Sequence, residues 1–600
     1  MATDSVTNLD SSGNPKKAPA PGKRIAAYLL TEYLERIGVE VIFGLCGHTN
    51  IALLDALGKS KIRFITTRHE QVASHAADGY ARASGKVGVM LSHLGPGLTN
   101  AATGVANAAL DSVPMVVIAG DIPSYYYGRH PHQEVNLHQD ADQSQIYRPF
   151  CKRVYRVDRV EDLPRIVERA FHLAASGRPG PVLVDVPMDF FSADLDEKAF
   201  TQVPAELTRP SLDDSTAARI VAELAAAKNP VIYAGGGVLA ARATAELAEL
   251  AELLEIPVAH SLMGKGTMHE HHPLLLGMTG FWGAPIANDK CRTADLILAI
   301  GTRLAEASSS SWDPRFTFNI PGDGTGTRLF HIDLDLAEIG RNFPTEFGIV
   351  SDAKLALGAL VKAARQRSLT SARPGLRAEI AAARAAFADN WAHQWVSDQY
   401  PLRPERILSE LRKAVPEDGF IVTDVGWNKN GVGQQFAITV PGTFVTPSGL
   451  CTMGFGPSAA LGVKVAQPHR ASVALIGDGG FGSNPAILAT AVEAGLNVVF
   501  VIMDNAAFGT IAGLENMHYG SSFGCVFHDP SGSPYRVDYT AVAKGYGVRG
   551  VMIQSPDELG PALLEALASN APTVIQVPME NAPTPTPGYW NINDIYRNGQ

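Results

Sequence analysis

Two apolar runs of strand length bracket a glycine turn and a helical pattern, and together they constrain the fold more than any other stretch. Ala471 to Ile476 (ASVALI) leads into Gly477-Asp478-Gly479-Gly480-Phe481, and a helical pattern follows from about Phe481 to Ala494. A second run, Asn497 to Met503 (NVVFVIM), ends in Asp504-Asn505. Strands without polar alternation, joined by a helix, predict a buried parallel βαβ unit with an oxygen donor at the C-terminal tip of each strand. Gly-Asp-Gly alone is a common turn. Here twenty-five residues separate Gly479 from Asn505, the span that a helix and a strand require. Hard oxygen donors beside a turn with free backbone N–H groups suit a Mg²⁺-bound diphosphate.

The rest of the chain narrows the class. Six hundred residues supply several domains' worth of core, and 46% hydrophobic against 18% charged residues is ordinary globular composition. Acidic residues outnumber basic ones 60 to 50, and no basic stripe is present, which argues against nucleic acid as the main partner. The five cysteines, Cys46, Cys151, Cys291, Cys451 and Cys525, are scattered without metal-ligand spacing. That pattern fits a reduced, intracellular chain with no zinc site. Residues 1–22 lack the apolar segment of a signal peptide and are expected to be a disordered leader. No apolar run reaches the roughly 18–20 residues that a membrane span needs, so a soluble cytoplasmic protein is expected.

Short apolar runs alternate with helical patterns along the whole chain, which predicts an α/β fold of three doubly wound parallel-sheet domains. The first spans 23–200, with helices expected from Arg24 to Arg36, Gln71 to Ala83 and Thr99 to Leu110. The second spans 213–365 and the third 400–578. The tail, 579–600, combines prolines with Tyr589, Trp590 and Tyr596. It reads either as a strap packed on the surface or as a lid over the active site.

Glu70, at the start of the helical stretch after Arg68-His69, reads locally as a helix-dipole or capping residue. In its wider setting the segment resembles the thiamine-diphosphate enzymes of the acetolactate synthase-like (pyruvate oxidase/decarboxylase) superfamily. The matching segments are His69-Glu70 with Gly79-Tyr80-Ala81-Arg82, Gly95-Pro96-Gly97-Leu98-Thr99-Asn100, Asp111-Ser112-Val113-Pro114-Met115 and Gly449-Leu450-Cys451-Thr452-Met453-Gly454-Phe455-Gly456. The resemblance runs over about residues 24–578. It implies a pyrimidine-binding, a central and a diphosphate-binding domain. It makes Glu70 the partner of the aminopyrimidine N1′, Met453 the wedge under the bent cofactor and the Cys451 carbonyl the acceptor for the 4′-amino group. By the same resemblance Asp478, Asn505 and the Ala507 carbonyl hold Mg²⁺. Gly426, Asn428, Gly477, Gly479, Gly480 and Phe481 then line the diphosphate. In the central domain Gly236 and Arg303 fall where the family lines FAD and its relatives hold ADP. The sequence after Arg303 departs from the family pattern, so FAD, ADP or no nucleotide all stay open. The resemblance further implies a homodimer or homotetramer with active sites between subunits.

The substrate loops depart from the family. His48 replaces its proline-glycine turn, His93 its Thr-Ser pair, and Gln139 sits near its Phe-Gln-Glu segment as a candidate substrate contact. Two histidines facing the thiazolium could handle protons on a carbonyl or a hydrate, or merely bond the loop backbone. A similar pair occurs in cyclohexane-1,2-dione hydrolases. The leading expectation is a carbon–carbon lyase or transferase, a carboligase, acting next to the carbonyl of a 2-oxo acid, diketone or acyloin. Hydrolysis of a 1,2-dione and a flavin-linked 2-oxo acid oxidase are the alternatives. A non-catalytic cofactor-binding regulator is disfavoured by the joint presence of Glu70, Met453, Asp478 and Asn505.

Overall fold

The computed structural model describes residues 17–136, 142–201, 207–367, 373–582 and 585–597. Most of the expected leader, and Gln139, lie outside them. Three six-stranded parallel sheets form the frame, and helices cover both faces of each. The first has the spatial order Arg63–Thr66, Val41–Gly44, Gly88–Ser92, Met115–Asp121, Pro181–Pro187 and Arg153–Arg156. The third repeats that order with Phe444–Val445, Phe420–Thr423, Ser472–Gly477, Val499–Asp504, Thr573–Pro578 and Arg549–Met552. The middle sheet is wound differently: Leu275–Met278, Val258–His260, Pro230–Ala234, Leu296–Ile300, Arg328–Asp333 and Phe347–Val350.

Each sheet reverses direction of winding beside its first strand, which opens a crevice at the strands' C-terminal ends. In the first sheet the crevice lies between Val41–Gly44 and Gly88–Ser92, where the loops carry His48 and His93. In the third it lies between Phe420–Thr423 and Ser472–Gly477, which deliver Asp424 and Asp478. The central strands are buried on both faces, which is why their sequences read as unbroken apolar runs.

Local chemistry sets the element ends. The helix Glu70–Ser84 starts where the His69 side chain accepts from the Gln71 N–H, and it stops at Gly85 with φ +75°. The expected helix from Phe481 to Ala494 is two pieces, Asp478–Gly482 and Ile487–Glu493. Pro485 lies between them and lacks the N–H needed to continue a helix. The first helix begins at Ala26 rather than Arg24, because Lys23–Ile25 pairs antiparallel with Asp194–Asp196. The strand Arg153–Arg156 escaped the sequence reading. Charged and apolar residues mix in it, as befits an edge strand.

The first and third domains meet through the helices Glu70–Ser84 and Phe455–Ala466. A Cβ on Gly79 would lie 2.1 Å from the Ala459 carbonyl oxygen, and one on Gly462 would lie 1.8 Å from that of Ala76. Only glycine allows backbones this close. The contact brings the N-terminus of the Glu70 helix to the turn that carries Met453.

Candidate active site

Glu70 is buried at the first position of its helix, and Oε2 accepts from Asn100 Nδ2 at 3.0 Å. Oε1 makes no hydrogen bond to a described residue, and a Cβ on Gly97 would stand 3.4 Å from it. The glycine thus keeps one face of the carboxyl group open. Across the domain boundary Gln71 Nε2 donates to the Met453 carbonyl at 3.3 Å. Met453 is 42% exposed, an unusual position for a large apolar side chain unless something flat lies against it. Two residues earlier Cys451 has φ +53°, a left-handed backbone that turns its carbonyl out of the helical path.

Asp424 holds the third domain's crevice together. It is buried at a strand end and accepts from the N–H groups of Gly454 (3.2 Å) and Gly456 (3.0 Å). Burial pushes its carboxyl group up to about 6. A Cβ on Gly480 would sit 2.0 Å from Asp424 Oδ2. Asp424 therefore braces the Gly454–Gly456 turn and the Gly480 turn. Above it Gly426 adopts φ +96°, and Gly477 is open on the Cβ side, its nearest neighbour being Asn428 Nδ2 at 4.0 Å. Near Gly426 the Thr510 hydroxyl is buried without a hydrogen-bond partner among the described residues, as is the Asn428 side-chain oxygen. A bare glycine cradle with unsatisfied polar atoms beside it fits a diphosphate group.

Asp478 opens the short helix after Ser472–Gly477, and Asn505 follows the neighbouring strand, whose Met503 pairs with Gly477. Burial, with the nearby Asp504 carboxylate second, pushes Asp478 up to about 7. Asp504 is already engaged by Gln576 Nε2 (2.8 Å) and Arg536 (3.1 Å). Asn505 Nδ2 donates to Asn581 Oδ1 at 2.9 Å, and Ala507 bridges Val526. A carboxylate held against its preference for water, an amide oxygen and a backbone carbonyl form an oxygen-only donor set that fits a small hard cation sharing phosphate ligands. Phe481 is buried under this turn against Tyr539, whose hydroxyl donates to the Asp478 carbonyl at 2.9 Å. It packs the site from behind. The Phe508 ring, which sequence reasoning passed over, stands 2.6 Å from where a Cβ of Gly479 would be.

The first domain's loops place His48 and His93 together, ring centroids 4.7 Å apart. Thr49, Gln133 and His132 join them, none of which the sequence singled out. Under this loop Gln143 Nε2 donates to Asp121 (3.1 Å) and Asp185 (2.9 Å), while its Oε1 accepts from the Gly95 N–H at 2.7 Å. Gln143 fixes the loop that precedes Gly97.

In the central domain Gly235 and Gly237 pack directly on Gly301 at the crevice, and Gly236 opens the next helix against Met263. The Arg303 guanidinium is largely buried, and desolvation lowers its pKa. Among the described residues it has no hydrogen-bond or ion-pair partner. A glycine cradle with an uncommitted guanidinium fits an anionic group. The unusual sequence after Arg303 forms a strained turn, with Ser310, Ser311 and Trp312 all at positive φ. The C-terminal tail docks there. Tyr589 stacks on Phe316 at 4.3 Å, Trp590 on Phe281 at 5.0 Å, and the Asn591 N–H donates to Ser311 Oγ.

Within one chain, Gln71 beside Glu70 reaches the Met453 carbonyl. Among the described residues no helix is long and apolar enough to cross a membrane.

Comparison with known proteins agrees with this geometry. Residues 25–146 match the N-terminal TPP binding domain of thiamine pyrophosphate enzymes, 217–360 their central domain and 424–577 their C-terminal TPP binding domain. A probable acetolactate synthase large subunit from Methanocaldococcus jannaschii is 36% identical, over 94% of this chain and 93% of its own. The acetolactate synthase of Arthrospira platensis is 35% identical, over 92% and 94%. The acetolactate synthase isozyme 3 large subunit of Escherichia coli is 34% identical, over 88% and 90%. With its three domains matched in order and relatives aligned over nearly the whole length, the chain belongs to the thiamine pyrophosphate enzymes, as a member of their acetolactate synthase-like superfamily.

Proposed function

We infer that the chain is a Mg²⁺-dependent carboligase that takes an acyl unit from a 2-oxo acid and joins it to a second carbonyl compound. One observation carries the reading: Glu70, with Oε1 open, is followed by Gln71, whose Nε2 donates to the carbonyl of the exposed Met453 across the first and third domains. That pairing suits the aminopyrimidine of thiamine diphosphate, which supplies a nucleophilic carbon and an electron sink when bound. The chain's own residues do the rest. Glu70, oriented by Asn100, would take or give a proton at the aminopyrimidine. Met453 and the Cys451 carbonyl would support the cofactor, and Gly426, Gly477 and Gly479 would admit its diphosphate. Asp478, Asn505 and the Ala507 carbonyl would hold the cation. The relatives' activity, acetolactate synthesis, supports a 2-oxo acid as donor.

The test is product analysis by mass spectrometry after pyruvate and longer 2-oxo acids are offered with and without aldehyde acceptors. Carbon dioxide release with an acyloin or acetolactate product supports the reading, and turnover without a new carbon–carbon bond overturns it. The His48–His93 pair favours one second reading, hydrolytic cleavage of a 1,2-dione, and the same screen with cyclic diones decides it. The Arg303 cradle supports a bound nucleotide such as FAD or ADP. Release of a nucleotide from the denatured protein, read by chromatography, would show it. Exposed Leu450, Met453, Phe508 and Ile511 lie around the crevice and support a second copy covering it, in a homodimer or homotetramer. Five unpaired cysteines fit a reducing, cytoplasmic setting.

A further inference from the structure

The loop after Tyr127 brings two residues to the first domain's crevice that neither the motifs nor the family pattern singled out. The His132 ring lies 6.0 Å from that of His48, and His48 in turn meets His93 edge-on at 4.7 Å and 71°. Gln133, next to His132, has φ +66°, a left-handed backbone imposed by its surroundings. The Gln133 carbonyl is pressed to within 2.0 Å of where a Cβ on Gly95 would be. The loop is built against the crevice, not draped over it.

The three rings are not equivalent. His93 is buried, with Nδ1 2.8 Å from Thr49 Oγ1 and Nε2 2.9 Å from Gln133 Oε1. An amide oxygen only accepts, so Nε2 carries the hydrogen and Nδ1 accepts from the hydroxyl. Neither nitrogen is left for a substrate. His48 and His132 are exposed, and neither ring has a hydrogen bond to a described residue. Among the described residues no three His, Cys, Asp or Glu side chains are placed to hold a metal.

We propose that His48 and His132 form the proton-handling pair of this site, and that His93 is a positioning residue whose tautomer Thr49 and Gln133 set. The proposal rests on the carboligase reading. As the new carbon–carbon bond forms, the acceptor's carbonyl oxygen gains the electron pair of its π bond. That oxygen takes a proton from the His48 imidazolium, and His132 returns one from solvent. No oxidant or reductant is needed. Partial desolvation and the neighbouring rings of His93 and His132 lower the His48 pKa, so its imidazolium releases a proton readily but is the minor form at neutral pH.

The test uses the full-length holoenzyme with pyruvate as probe. Hydrogen–deuterium exchange at C2 of bound thiamine diphosphate is read first, by NMR of quenched samples. Its absence in the wild-type protein would sink the cofactor reading itself. With exchange present, His48→Asn and His132→Asn are expected to leave it within about twofold and to lower kcat by about 100-fold. Added imidazole is expected to restore part of the loss. Thr49→Val and Gln133→Leu are expected to lower kcat by about tenfold each, with effects that do not add to that of His93→Asn. Unchanged kcat and products in His132→Asn would overturn the proposal. So would a larger loss in His93→Asn than in His48→Asn, rescued by imidazole.

Discussion

Gln71 Nε2 donates to the Met453 carbonyl at 3.3 Å, so the residue after Glu70 is tied to the turn of another domain nearly four hundred positions later. The bond ties the start of the Glu70 helix to the glycine turn that carries the exposed Met453.

Replacing Glu70 with Gln keeps the hydrogen bond to Asn100 sterically available but removes the ionisable group. We expect a folded protein with an unchanged melting temperature and a kcat at least about 100-fold lower. Turnover close to wild type would refute the assignment of Glu70.

Asp478→Ala removes the carboxylate of the cation site. Titration calorimetry with thiamine diphosphate is expected to show strong Mg²⁺ dependence in the wild-type protein and none in the variant. Equal affinities with and without Mg²⁺ in both proteins would exclude the proposed donor set.

Gly462→Ala places a methyl group 1.8 Å from the Ala76 carbonyl oxygen. The two helices must separate, which costs about 1–3 kcal/mol. Because this is the contact that brings Glu70 to Met453, both melting temperature and cofactor affinity should fall together. A loss of stability with cofactor affinity intact would show that another contact aligns the domains.

Asp424 gives a pH signature. Its folded-state carboxyl group titrates at about 6, above its ordinary value of 3.8. Between those values the folded protein holds a proton that the unfolded chain has released. Its contribution is fully present below about 4 and lost as pH rises through about 6. The slope is of order 1 kcal/mol per pH unit. Asp424→Asn abolishes the titration, so denaturant melts of the variant between pH 4 and 7 should lose that slope. An identical pH dependence in both proteins would remove Asp424 as its source.

The tail packs on Phe281, Phe316 and Ser311 of the central domain. Trp590→Ala removes the stack on Phe281 and should speed proteolysis within residues 579–597, while kcat changes less than about threefold. A collapse of kcat with unchanged proteolysis would make the tail a lid.

The three α/β units, the strand tips bearing Asp478 and Asn505, and the helix opened by Glu70 were legible in the sequence. Each depends on periodicity or on residues adjacent in the chain. Buried parallel strands must be apolar throughout, and a glycine turn at a strand end declares itself locally. Tertiary structure alone decided what those residues face. Asp424 is a buried brace, because the N–H groups it binds belong to Gly454 and Gly456. His93 read either as a proton handler or as a residue bonded to its loop. Its nitrogens are taken by Thr49 and by Gln133, which a loop of no recognisable pattern delivers. The bond from Gln71 to the Met453 carbonyl depends on two helices crossing at Gly79 and Gly462, which no local pattern reveals. Chain neighbours fix backbone conformation, whereas the partners of a polar side chain depend on which distant surfaces the packing of apolar faces brings together.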